Sequence, residues 1–150
     1  MRKPIRKLDA ETILLACHLK KTRPRVRVLT VLAAKDMAVP GPVLAKKMKD
    51  LNRATLYSVI HTLEAKGVIY KAFGVNGTVH YAMCRSKFNG SDTILYTNFN
   101  CIQCRKIYCL NEAACSLLSL PEGFNADRFV LYIAGVCPLC NKKRLSLHKS

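Results

Sequence analysis

"NFNCIQCRKIYC", Asn98–Cys109, packs three cysteines into twelve residues, and "GVCPLC", Gly135–Cys140, adds two more. Cys101-x-x-Cys104 and Cys137-x-x-Cys140 are two CxxC pairs with 32 residues between them. Each follows a strand-like run and stands at a turn, so the chain presents four thiols as two knuckles. Four thiolates suit tetrahedral zinc. An all-sulfur set also suits an iron–sulfur centre. A redox-active pair is the third reading, and it expects a CxxC at the start of a helix, which neither pair is read as providing. Structural zinc, one ion per chain, is the favoured reading. Four protein sulfurs leave no coordination position for a catalytic water. The surrounding module has about 60 residues, a size at which domains often need a staple.

The 150-residue chain holds 8 cysteines and only 4 histidines. Its longest apolar stretch near the C-terminus, Phe129–Cys140, falls short of the ~18 residues of a membrane span. The basic N-terminus is interrupted by Asp9 and Glu11, and "ILLAC" is too short for a secretory leader. The expectation is a cytoplasmic protein whose thiols stay reduced, with no membrane partner. Cys17 and Cys115 read as small core residues. Cys84 and Cys109 read as inert thiols, with a redox role as the alternative.

Charge is lopsided. Lys and Arg number 25 against 9 Asp and Glu, a net charge of +16. Residues 1–83 carry 16 basic and 5 acidic side chains, net +11, and residues 84–150 carry 9 and 4, net +5. A polyanion is the natural partner, and nucleic acid the first choice.

The order of elements agrees. Residues 9–19 read as a helix with Asp9 as its cap and Ile13, Leu14 and Cys17 on one face. Thr22 caps a second helix with Pro24 in its first turn and Val28, Leu29 and Leu32 inward. "VLAKKMK" is a short helix with Val43, Leu44 and Met48 inward. Asn52 caps a long helix, Arg53–Lys66, which Gly67 ends. "VIYKAFGVNGTVHYAM" is a hairpin turning at Asn76-Gly77. Helix, helix, turn, helix and then a two-stranded wing is the order of a winged helix-turn-helix, with no catalytic equipment. Residues 84–92 read as a hinge. Strands over 93–100 and 105–110, a helix over 111–119, a strand over 127–136 and a basic helix from about Asn141 follow. The expected fold class is therefore α/β (α+β): a winged helix in residues 1–83 and a small α/β module in 93–150.

In this combination the chain resembles the ferric uptake regulator family of bacterial transcription factors, over about residues 10–141. The resemblance rests on "KKTRPRVRVLTVL", "ATLYSVIHTLEAKGVI", "GTVHYAM", "CIQC" and "GVCPLC". It implies a homodimer joined through residues 93–150, reading a palindromic site on double-stranded DNA, with no small-molecule substrate and no enzymatic activity. "ATLYS" resembles the family's "ATVYR", which puts Ala54, Thr55 and Tyr57 at the major groove. Leu56, Val59, Ile60 and Leu63 form the opposite, buried stripe, so Arg53, Tyr57 and His61 share the free face. Ser58 stands where the family often has arginine, and Arg53 is the candidate replacement cation. Lys20 resembles a minor-groove lysine, and Arg25 a phosphate contact.

The departures carry as much information. The family's sensory metal site uses imidazoles and carboxylates, with a His-x-His before the first knuckle. Those positions here are Tyr96 and Asn98, and the other ligand positions are Cys109, Phe129, Val39 and Ala82. Phenol, phenyl and aliphatic groups do not build such a site. The expectation is a regulator with structural zinc only and no activating metal. Alternatives are a zinc-stapled nucleic-acid or protein-interaction module, and a thiol-based regulator using Cys84 or Cys109. His80 reads as an exposed residue of the wing.

Overall fold

The structure is a computed structural model that describes residues 9–88, 94–110 and 119–148. Its N-terminal half is built from α1 (Ala10–Ala16), α2 (Arg23–Ala33), β1 (Val39–Pro40), α3 (Gly41–Lys47), α4 (Arg53–Ala65), β2 (Ile69–Phe73) and β3 (Val79–Met83). The three strands form one antiparallel sheet in the order β1-β3-β2. This is the expected winged helix-turn-helix, with a short additional first strand, Val39–Pro40.

Periodicity explains the core. Ile13 and Leu14 of α1, Val28, Leu29 and Leu32 of α2, and Leu56, Val59, Ile60 and Leu63 of α4 are all buried in one cluster. Each buried Leu or Ile contributes about 1.5–3 kcal/mol by leaving water. Asn52 Oδ1 accepts from the Thr55 N–H at 2.7 Å, satisfying one of the donors that a helix start leaves free. Gly67, at φ 66°, ends the same helix in a conformation that a Cβ would strain. Asp9 and Thr22 occupy cap positions without a side-chain cap bond.

Three local expectations need correction. The first helix ends at Ala16 rather than residue 19, because His18 adopts a left-handed φ of 53°. α3 starts at Gly41, with Pro40 as its cap and Pro42 in its first turn, and Val43 lies outward, 43% exposed, while Leu44 and Met48 stay buried. His80 is buried, with its Nδ1 3.1 Å from the Thr78 carbonyl oxygen, because β3 is the central strand of its sheet.

A 3₁₀ turn, Ser86–Phe88, leads toward the C-terminal half. That half contains β4 (Ile94–Cys101), β5 (Ile107–Cys109), β6 (Arg128–Gly135) and α5 (Pro138–Leu147). The sheet order is β5-β4-β6, with β4 antiparallel to β5 and parallel to β6. Residues 111–118 of the expected helix, with Cys115, lie outside the described residues, as do 89–92 of the expected hinge. The last helix begins at Pro138, not near Asn141, so the second CxxC does open a helix: Cys137 is its N-cap. No helix among the described residues is long and apolar enough to cross a membrane.

The two halves touch along a continuous seam. The Ala38 N–H donates to the Ile107 carbonyl at 2.9 Å, and the Cys109 N–H donates to the Asp36 carbonyl at 2.8 Å. Ala38, Ala72, Ala82 and Ile107 form a second small buried cluster at this seam, with Tyr70 and Cys109 packed against it. Arg85, barely exposed, donates to the carbonyls of Ala33 and Lys35 at 3.0 Å each, holding the end of α2.

Candidate metal centre and nucleic-acid interface

The parallel pairing of β4 with β6 decides the metal centre. Cys101 is the last residue of β4 and registers with Gly135 of β6, so both knuckles emerge at the same end of the sheet. The backbone passes close to the Phe99 ring there: a Cβ on Gly135 would sit 3.0 Å from it, and the ring would have to shift. The thiols of Cys101, Cys104, Cys137 and Cys140 all lie within 4.8 Å of one another. The Cys104 and Cys137 sulfurs are 3.8 Å apart. Four sulfurs at about 2.3 Å from a tetrahedral zinc would be separated by about 3.8 Å, so the donor set and its size fit that ion.

The surroundings favour thiolates. The Cys137 N–H donates to the Cys101 sulfur at 3.3 Å. Burial opposes ionisation of Cys101, but the N–H groups of Cys104, Cys137 and Gln103 outweigh it and bring the thiol down to about 6. The Tyr108 hydroxyl, donating to Cys137, leads the groups that lower that thiol. Cys140 is pushed up to about 12 by burial and by the neighbouring thiols. A bound cation would reverse that repulsion and displace the remaining protons. The donor Tyr108 escaped the sequence reading. Its only signal was a position one residue from the end of a short strand that packs beside the knuckles.

The nucleic-acid face is assembled from α2 and α4. Arg53, Ala54, Tyr57, Ser58 and His61 are exposed on one side of α4, and Tyr57 is 55% exposed, which is unusual for its size. A cleft of about 410 Å³ between the starts of the two helices is lined by Thr22, Arg25, Ala54, Thr55 and Ser58, among others. Four of the seven residues expected at DNA, Arg25, Ala54, Thr55 and Ser58, thus meet at one opening. Lys20 is exposed just before α2, and the Arg25 guanidinium donates to its carbonyl at 2.8 Å. Arg27 forms a two-pronged pair with Asp50 at 2.5 and 2.8 Å, tying α2 to the turn that precedes α4.

Four of the six positions where the resemblance places sensory ligands are engaged in packing. Tyr96 stacks on Tyr70 with ring centroids 4.0 Å apart. Asn98, fully buried, accepts from the Tyr70 hydroxyl at 2.9 Å. Val39 belongs to the main core and Ala82 to the alanine cluster. Among the described residues, the four knuckle cysteines are the only group of three or more metal-ligating side chains. Cys84 has no exposed surface, and burial pushes the Cys109 thiol up.

No family model matches the sequence, and no curated protein matches it. Solved structures do. The zinc uptake regulator complexed with zinc and DNA superposes with a TM-score of 0.64 at 22% identity, covering 91% of this chain and 93% of that one. The Vibrio cholerae ferric uptake regulator gives 0.55 at 20% identity, covering 86% and 100%. The Helicobacter pylori ferric uptake regulator, described as having three functional metal binding sites, gives 0.55 at 16% identity, covering 94% and 97%. At these identities the likeness establishes the fold: a winged helix followed by the α/β module of ferric and zinc uptake regulators.

Proposed function

We propose that this chain is a transcriptional regulator of the ferric uptake regulator type, binding a palindromic site on double-stranded DNA as a homodimer. The observation that carries the reading is the exposed, capped helix α4, with Arg53, Tyr57, Ser58 and His61 on its free face, in a chain of net charge +16. A helix presented this way fits a major groove. A tyrosine ring packs on thymine methyls, and serine and arginine address base edges. Lys20 and Arg25 would neutralise phosphates on either side. Residues 1–83 are the DNA-binding domain on this reading, 84–92 the hinge, and 93–150 the dimerisation domain. It is not an enzyme, and its place is the cytoplasm.

The homodimer is supported by β6, an edge strand of eight residues whose exposed and half-buried positions alternate, with Val130 and Tyr132 each 47% exposed. A long edge of this kind is a template for another strand, and a second copy supplies one by two-fold symmetry. The four cysteines hold one structural zinc per chain. No activating metal is needed, because Tyr96, Asn98, Val39 and Ala82 already pack where such ligands would stand.

The test is selection from random duplexes with reduced, zinc-loaded protein, followed by titration with iron, manganese and extra zinc. A two-fold-symmetric duplex should emerge, with affinity unchanged by added metal. Preference for single strands, or no preferred duplex, would sink the DNA reading. A tenfold gain with any divalent ion, about 1.4 kcal/mol, would show that an activating site exists.

A further inference from the structure

The inner face of β4 is unusual for a sheet that packs against another unit. Its successive inward residues are Tyr96, Asn98 and Asn100, one aromatic and two amides, all buried. Each addresses the wing strand β2. Tyr96 stacks on the Tyr70 ring, Asn98 accepts from the Tyr70 hydroxyl at 2.9 Å, and the Asn100 amide donates to the Phe73 carbonyl at 3.0 Å. β2 is the edge of its own sheet, so the Phe73 carbonyl lacks a neighbouring strand there and Asn100 takes that place. Hydrogen bonds of this kind have directions, unlike apolar contact, and they fix one angle between two surfaces.

We infer that Tyr70 is a positioning residue, whose ring and hydroxyl clasp the wing to the C-terminal sheet and thereby set the angle at which α4 is presented. The inference rests on the DNA-reading role proposed above and deepens it. In a two-fold dimer the separation of two α4 helices depends on how each winged helix sits on its C-terminal module, so a fixed angle becomes a fixed half-site spacing. The seam around Tyr70 supports a fixed angle. The 36–38 segment is hydrogen-bonded to β5, and Ala38, Ala72 and Ala82 leave little room for sliding. Burial raises the Tyr70 phenol above its ordinary value, so its hydroxyl remains a donor into the alkaline range. The clasp is made only of protein groups, so it holds the same angle with or without a small ligand.

The experiment compares zinc-loaded wild type with Tyr70→Ala and Tyr70→Phe in two measurements. One is small-angle X-ray scattering without DNA. The other is affinity for the selected palindrome, for the same palindrome with its half-sites moved apart by one base pair, and for a single half-site. Wild type should discriminate the altered spacing by about tenfold. Tyr70→Ala should enlarge the scattering radius and cut that discrimination to about threefold or less, with half-site affinity unchanged. Tyr70→Phe keeps the ring and should fall between them. A merely structural loss would weaken all three duplexes together. Unchanged scattering in Tyr70→Ala, or changed scattering with wild-type spacing discrimination, overturns the positioning role. If wild type prefers no duplex, the DNA reading fails, and the scattering comparison still decides whether Tyr70 clasps the two halves.

Discussion

Stripping the metal should dismantle one half of this protein and spare the other. Among the described residues from 94 onward, the buried apolar side chains are Tyr96, Cys101, Ile107 and Cys137. Two of those four, Cys101 and Cys137, belong to the four-cysteine cluster itself. Burial of Tyr96 and Ile107 contributes about 3–6 kcal/mol together. A structural zinc in a small four-ligand site contributes about 10–16 kcal/mol of apparent binding energy. The metal term therefore exceeds the local apolar term by about twofold or more. In the N-terminal half the balance is reversed: one cluster of eighteen buried residues runs through α1, α2, α3, α4 and the wing. A strong chelator applied under reducing conditions, with metal loss verified by elemental analysis, should abolish hydrogen-exchange protection in β4, β5 and β6. Protection in α2 and α4 should survive. Cys101→Ser should give the same pattern without chelator. Protection of β4 and β6 that persists after verified metal loss would refute the staple argument.

Three further outcomes are expected. Tyr57→Ala should cost about 1–3 kcal/mol on the preferred duplex and much less on random duplex; an unchanged ratio in parallel titrations would mean that α4 does not read bases. Asn52→Ala removes the 2.7 Å cap bond and should lower stability by about 1 kcal/mol in urea unfolding, with Asn52→Asp close to wild type; equal stability of all three would show that the cap is idle. Tyr70, Tyr96 and Tyr108 are all held above the ordinary phenol value, Tyr70 and Tyr96 chiefly by burial and Tyr108 chiefly by its bond to Cys137. An unfolded tyrosine ionises near pH 10. The stabilisation these phenols give is thus whole below about pH 10 and is lost as pH rises beyond it. Tyr81 is raised as well, chiefly by burial, so tyrosinate absorbance should show four late-titrating groups, and simultaneous titration of all six tyrosines near pH 10 in folded protein would contradict it.

What the sequence discloses here follows from how local each signal is. The helices were legible because their buried stripes recur every three or four residues, and the long one because Asn52 and Gly67 mark both of its ends. The hairpin was legible from Asn76-Gly77. The knuckles were legible because thiol spacing is itself a chemical statement. The seam was not. Tyr96, Asn98 and Asn100 alternate with Thr97 and Phe99, so polar and aromatic residues fall on both faces of β4 and no amphipathic signal survives. Tyr70 looks like any strand tyrosine until the sheet it faces is known. His80 was misjudged for a related reason: a wing residue is exposed on an edge strand and buried on a central one, and strand order is not written in a hairpin. Against the inward expectation for Val43, the buried side of α3 runs through Leu44 and Met48, four residues apart, and leaves Val43 outside it.

The parallel pairing of β4 with β6 has a consequence for how the chain reaches its native register. Parallel strands cannot be joined by a tight turn, so this pair forms late, across a long intervening segment, with no turn geometry to set its alignment. Side chains alternate along a strand, and a slip of one residue would carry Cys101 away from its partner position opposite Gly135. The two knuckles would then stand at different heights, and four sulfurs would no longer surround one point. A register error turns every side chain of a strand to the wrong face, and here it would also forfeit the binding energy of any ion held by the four cysteines. A metal bound by the four cysteines would thus act as a proofreader of strand alignment, accepting one pairing of β4 and β6 and leaving the others free to come apart.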